Sequence, residues 1–256
     1  MIPALGFDFF ALFGLSPADL AFFAATIVAA AVLRAFSGFG FALAAMPLLV
    51  LVIEPARAVV LCALLSLVAG LRTLRRSVAE SDRGLLKPLL IGSLIGTPVG
   101  VALLDLLPAD ATKLLIGVGV LGSALLLWRT GVMAGAGRGL ALPVGLSAGL
   151  MGGALAIPGP PIVVFLLGTE PDARRARATL MAFFNLTSVM SLAGYTVTGK
   201  IDEISPAQFA LALPCLLFGD WLGFRLFERF GSAHHRAISL LVLALIGVTA
   251  TVNAVI

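Results

Sequence analysis

Of the 256 residues, 60% are hydrophobic and only 12% are charged, whereas a water-soluble domain is roughly 45–50% apolar and about 25% charged. With a mean hydropathy of +1.12, the chain has too little polar surface to clothe a soluble core, which excludes soluble enzymes and soluble binding modules. The net charge of +4 does not indicate nucleic acid, because the Lys and Arg residues sit in short loops between apolar stretches rather than on one folded face.

The first predicted helix covers 18–43. No Lys or Arg precedes Arg34, while Asp8 and Asp19 do, so the segment lacks the basic flank of a cleaved leader and is expected to be retained. A short segment follows over 47–54, then helices over 56–73, 85–107 and 111–129. The same order returns over 140–157, 161–168, 174–198, 206–227 and 234–255. The longer stretches suffice to cross ~30 Å of hydrocarbon.

The return is visible in single residues. Gly38, Pro47, Leu48 and Val50 fall on Gly152, Pro161, Ile162 and Val164 at an offset of 114 residues, and Gly92, Gly96 and Gly100 fall on Cys215, Gly219 and Gly223 at an offset of 123. Spacing by four puts each small-residue ladder on one helix face, where a neighbouring helix can approach closely. The expected fold is an all-α polytopic membrane protein, one transmembrane domain over 1–256. Its two repeats, about 18–130 and 140–256, hold about five helical segments each, and a Gly/Pro-broken helical hairpin opens each repeat.

Basic residues orient such a chain. If 140–168 turns back as a hairpin, one side receives 13 of the loop Lys and Arg residues and the other only Arg57, Lys113 and Lys200, whereas single crossings spread them 8 against 8. The hairpin arrangement places both termini outside a bacterial inner membrane and inverts the second repeat relative to the first, a transporter architecture.

Breaks are expected at 44–47 and 157–161. A broken membrane helix leaves N–H and C=O groups that protein or a wet cavity must satisfy, and the short helix after the break presents a positive dipole end suited to an anion. The alternative is that the prolines only kink packed helices. Two related breaks favour a site.

Ser37-Gly38-Phe39-Gly40 with Pro47-Leu48-Leu49, and Gly149-Leu150-Met151-Gly152-Gly153 with Ile157-Pro158-Gly159-Pro160-Pro161, resemble the paired signatures of the TauE/SafE family. The resemblance runs from about Ala21 to Val255 and implies a sulfite exporter or a related organosulfur-anion permease, with these Gly, Ser and Pro residues at the substrate. Phe39 and Phe41 stand where the family often has a denser glycine run, so the first break is expected to be bulkier and less open than the second.

Polar side chains extend that site. Ser66 shares a helix face with Cys62, Gly70 and Thr73, and Asn185 shares one with Ser188, Ser191 and Tyr195; hydroxyls and an amide suit a desolvated oxyanion. Thr73 and Ser191 read more simply as interhelical hydrogen bonds. Arg34 either faces the anion path or snorkels to the interface. Asp220, with no basic residue three or four positions away, either titrates and couples protons to transport or makes a structural hydrogen bond. Cys62 and Cys215 are read as packing residues, and His234 and His235 as loop residues; no cofactor or metal site is expected. No HExxH or paired intramembrane aspartate supports a membrane-embedded enzyme, and a scaffold subunit would need no breaks. Expected partners are a small inorganic or organosulfur anion, the lipid bilayer and protons.

Overall fold

A computed structural model describes residues 14–37, 40–128, 137–203, 206–226 and 228–229. Gly38, His234, His235 and the helix expected over 234–255 lie outside these. The elements are α1 (Pro17–Ser37), α2 (Phe41–Leu49), α3 (Pro55–Leu71), α4 (Leu74–Glu80), α5 (Arg83–Leu106) and α6 (Ala109–Trp128). After a short 3-10 turn at Arg138–Leu140 come α7 (Ala141–Leu155), α8 (Gly159–Thr169), α9 (Ala173–Val197) and α10 (Pro206–Leu226). No strand occurs among the described residues.

Among the described residues, five helices are long and apolar enough to cross a membrane, and α3 with α4 forms a sixth apolar segment bent by 74°. With 9 and 11 residues, α2 and α8 extend only ~14 and ~17 Å at 1.5 Å per residue, so neither crosses. Acidic caps start the helices that follow them. The Glu54 side chain accepts the Arg57 amide ahead of α3, and Asp172 accepts the amides of Arg174 and Arg175 ahead of α9, each satisfying N–H groups that a helix start leaves open.

The starts of α2 and α8, and of α3 and α9, differ by 118 residues, and those of α5 and α10 by 123. The first figure corrects the offset of 114 inferred from the prolines. Pro47 does not open the short helix; it lies buried inside α2. The break falls between the end of α1 at Ser37 and the start of α2 at Phe41, rather than at 44–47, and Gly40 turns the chain with φ 93°, a left-handed conformation that glycine adopts freely. In the second half α8 starts at Gly159, two residues ahead of Pro161.

Both glycine ladders are packing seams. A Cβ on Gly92, Gly96 or Gly100 would collide with the carbonyls of Leu142, Leu146 and Leu150 on α7, and Gly145, Gly149 and Gly153 face Leu89, Ser93 and Thr97 on α5 in return. Gly219 and Gly223 press α10 onto Val28, Ala31, Val32 and Ala35 of α1 in the same way. Each ladder helix therefore packs on the broken helix of the other half. The outward face of α5 carries Ile91, Leu94, Ile95 and Val99, each more than half exposed, as lipid contact requires.

Loop contacts sort the charges by end. The Asp82 amide donates to Thr179 Oγ1 at 2.9 Å, and Arg138 donates to the Asp82 carboxylate at 2.8 Å. These bonds gather the start of α5, the start of α7 and the first turns of α9 at one end, so 140–168 returns to the side it leaves. At the other end Lys200 pairs with Asp105 at 3.3 Å, and Arg57 and Lys200 line one cavity with Glu54 and Leu107.

Gly96→Ala is expected to lower stability in detergent by about 1–3 kcal/mol, while Gly122→Ala, with nothing within 4 Å, should change it by less than about 0.5 kcal/mol. Equal melting temperatures would remove the seam from the energetics of the fold. Burial pulls the Asp82 carboxyl upward, but the amides of Leu85 and Gly84 and the Arg138 guanidinium outweigh it and hold it below the usual carboxylate range. Its stabilisation is complete above the ordinary aspartate value of about 4 and is lost as pH falls through the lower folded value. The stability advantage of the native chain over Asp82→Asn should therefore shrink on acidification below about pH 4, as thermal unfolding at stepped pH would show.

Candidate functional site

The two breaks meet at a cavity of about 60 Å³. Gly40, Phe41, Ala42 and Leu43 line it from the start of α2, and Gly152 with Ala156 through Gly159 line it from the second break. Ser66 of α3, Asn185 and Ser188 of α9 and Arg34 of α1 complete the wall. Of the other expected residues, Gly153 faces α5 and Pro47 is enclosed within α2. Ser37 is the last residue of α1, and Pro160 and Pro161 belong to the first turn of α8.

The breaks differ in what they offer. Helical bonding in α2 starts with the Ala44 amide on the Gly40 carbonyl at 2.9 Å, so the amides of Phe41, Ala42 and Leu43 have no partner within the helix. In α8, Pro158, Pro160 and Pro161 carry no N–H, and Gly159 alone contributes one before Ile162. The first break, expected to be the less open one, thus holds most of the donors. Phe41 is buried and lines the cavity, and Phe39 lies outside the described residues.

The second break is closed by α9. Ala156 takes the left-handed conformation with φ 54°, its amide reaches the Gly152 carbonyl at 3.1 Å, and the Ile157 amide reaches that of Met151 at 3.4 Å. Tyr195, the sole tyrosine, donates its hydroxyl to the Gly153 carbonyl at 2.6 Å and the Gly152 carbonyl at 3.3 Å. Ser191 adds a bond to the Gly152 carbonyl at 3.4 Å. Carbonyls released by the break are thereby paired inside protein, as an apolar surround demands.

Two hydroxyls beside the cavity bond within their own helix. Ser188 donates to the Phe184 carbonyl at 2.8 Å, and Thr187 donates to Phe183 and Phe184, so these groups turn lone pairs rather than protons toward the cavity. Asn185 donates to the Met181 carbonyl at 3.0 Å, and its Oδ1 is buried without a hydrogen-bond partner. The amide fits there only because Gly70 has no Cβ. Groups at the cavity that can still donate to an anion are Arg34, the α2 amides, the Ser66 hydroxyl and the remaining Asn185 N–H.

Arg34 and Asp220 correct the sequence reading most sharply. Arg34 is 7% exposed, so it does not snorkel, and Asp220 is not isolated. Arg34 Nη1 lies 3.3 Å from Asp220 Oδ1 and 3.4 Å from Oδ2. The partners are 186 residues apart, beyond any local charge pattern, and they meet because Gly219 and Gly223 seat α10 on α1. Arg177, counted as a loop residue on sequence, reaches back to donate to the Ala35 carbonyl at 3.1 Å.

The profile described as "Sulfite exporter TauE/SafE" matches residues 22–250. The chain belongs to the TauE/SafE family. That family comprises membrane transporters, not enzymes. The chain is also 27% identical over 170 residues to a "Probable sulfite/organosulfonate exporter TauE" of Cupriavidus necator, an alignment that covers 64% of this chain and 66%, just under two thirds, of that relative. No solved structure matches the chain. Within this TauE/SafE protein, Tyr195 is the clearest support of the break. Tyr195→Phe should cost about 1–3 kcal/mol by stranding the Gly153 carbonyl, read as a lower melting temperature in detergent; an unchanged value would assign that carbonyl another partner.

Proposed function

We propose that the chain is a secondary transporter that moves a small sulfur oxyanion of sulfite size by alternating access of two inverted repeats, with both termini outside the bacterial inner membrane. One observation carries the reading: the start of α2, the start of α8 and a buried arginine line the same cavity. Free amides at a helix start bind anions, and Arg34 adds the charge that selects for them. The family supports the transport class, and the printed name of the Cupriavidus necator relative supports sulfite or an organosulfonate.

Size favours the smaller of these. A cavity of about 60 Å³ has room for about four waters at ~12–15 Å³ of accessible volume each, and sulfite has four heavy atoms. Amide dipoles, with an arginine already engaged by Asp220, make a shallower well than an unpaired cation would, which suits release as well as binding. Asp220 is the group that carries a coupling proton in this reading, since it is the carboxylate adjoining Arg34.

A methyl at Gly159 tests the path. Its Cβ would meet only Phe184 Cζ, at 3.9 Å, so Gly159→Ala should fold normally while filling the cavity. Sulfite uptake into proteoliposomes should fall about tenfold, equivalent to ~1.4 kcal/mol, at unchanged protein level and melting temperature. Full flux in that variant would place the anion path elsewhere.

A further inference from the structure

The arginine that lines the cavity is already held by a carboxylate, and the hold is loose. Asp220 is fixed by the seam of α10 on α1, and its side chain is 2% exposed. Contact with Arg34 is nonetheless made by a single nitrogen at 3.3 and 3.4 Å. The arginine pairs Arg76–Glu80 and Arg138–Asp82, whose guanidinium groups are exposed, close to 2.7 and 2.8 Å. A permanent ion pair in a water-free interior is maintained by short, preferably two-pronged contacts, because nothing else compensates the lost hydration. Here the buried pair is the longer one. A guanidinium carries five N–H donors, and Asp220 engages only Nη1, while the same side chain lines the cavity. Arg177 approaches from α9, donating to the carbonyl of Ala35, the neighbour of Arg34 in the chain.

We propose that Asp220 is an internal competitor for Arg34. In the empty carrier the carboxylate occupies the guanidinium; a small oxyanion entering between α2 and α8 displaces it and takes Arg34 as its own counter-ion. The proposal rests on the anion-transport reading above and adds to it the device that regulates the site. Two consequences follow from charge alone. The unloaded site is neutralised, so the carrier can change conformation without moving an uncompensated cation through a low-dielectric interior. The returning carboxylate also drives the anion off, so binding need not trap it.

The test uses the full chain purified in detergent, with sulfite and methanesulfonate as calorimetric probes, alongside uptake into proteoliposomes. If Asp220 holds Arg34 for about nine-tenths of the time, removing it raises apparent affinity about tenfold. Asp220→Asn should therefore bind sulfite more tightly yet carry it more slowly. Arg34→Gln should lose binding, and Arg34→Gln with Asp220→Asn, which removes both charges, should recover wild-type melting but not binding. Asp220→Glu, whose longer side chain can close the loose contact, should weaken binding and stands in if Asp220→Asn does not fold. Unchanged or weaker sulfite binding in folded Asp220→Asn, or wild-type affinity in Asp220→Glu, overturns the competition while leaving the transport reading intact. A wild-type chain that neither binds nor carries either probe overturns both.

Discussion

A backbone that stops being helical inside an apolar bundle must find partners for the groups it releases, since lipid offers none and each orphan costs several kcal/mol. The break between α7 and α8 meets this demand within the protein: Tyr195 and Ser191 donate to the carbonyls of Gly152 and Gly153, and three prolines remove amides that would otherwise need acceptors. The break between α1 and α2 is built differently. Three successive non-proline residues open α2; all three line the cavity, and their amides have no partner within the helix. One break is sealed and the other holds donors, and the difference separates a support from a binding surface.

The donor face can be set there only because the helices approach closely. Glycine on α5 lets it lie against the α7 backbone, and glycine on α10 lets it lie against α1. Without Cβ atoms in the seams, the two halves interlock, each ladder helix on the broken helix of the other half. The same seam that packs α10 also carries Asp220 to Arg34, so the helix contact and the charge contact are one construction. Gly70 repeats the logic on a smaller scale by making room for the Asn185 amide.

Electrostatics then acts on a prepared geometry. A lone guanidinium buried beside a cavity is costly, and Asp220 offsets it without closing on it tightly. The α2 amides supply fixed dipoles that require no reorganisation when an ion arrives.

Much of this was legible in the residues. Hydropathy and length place the long helices in order among the described residues, because ~30 Å of hydrocarbon permits few alternatives, and four-residue glycine spacing marks a close helix face whatever it packs on. The TauE/SafE signatures place the two breaks within a few residues. The register of the first break was misread because proline was taken as its marker, whereas a left-handed turn selects glycine, and Pro47 is tolerated inside α2. Hydroxyl direction was also out of reach, since Ser188 and Thr187 donate within their own helix at distances that sequence spacing does not reveal. The Arg34–Asp220 pair was hidden for a stronger reason. Its members are 186 residues apart, and only the packing of α10 on α1 joins them. Sequence determined that this chain lives in lipid, that each half carries a broken helix and which faces are small, because those follow from local composition. Tertiary structure alone decided which break holds the donors and which charges meet, because both depend on contacts between distant segments.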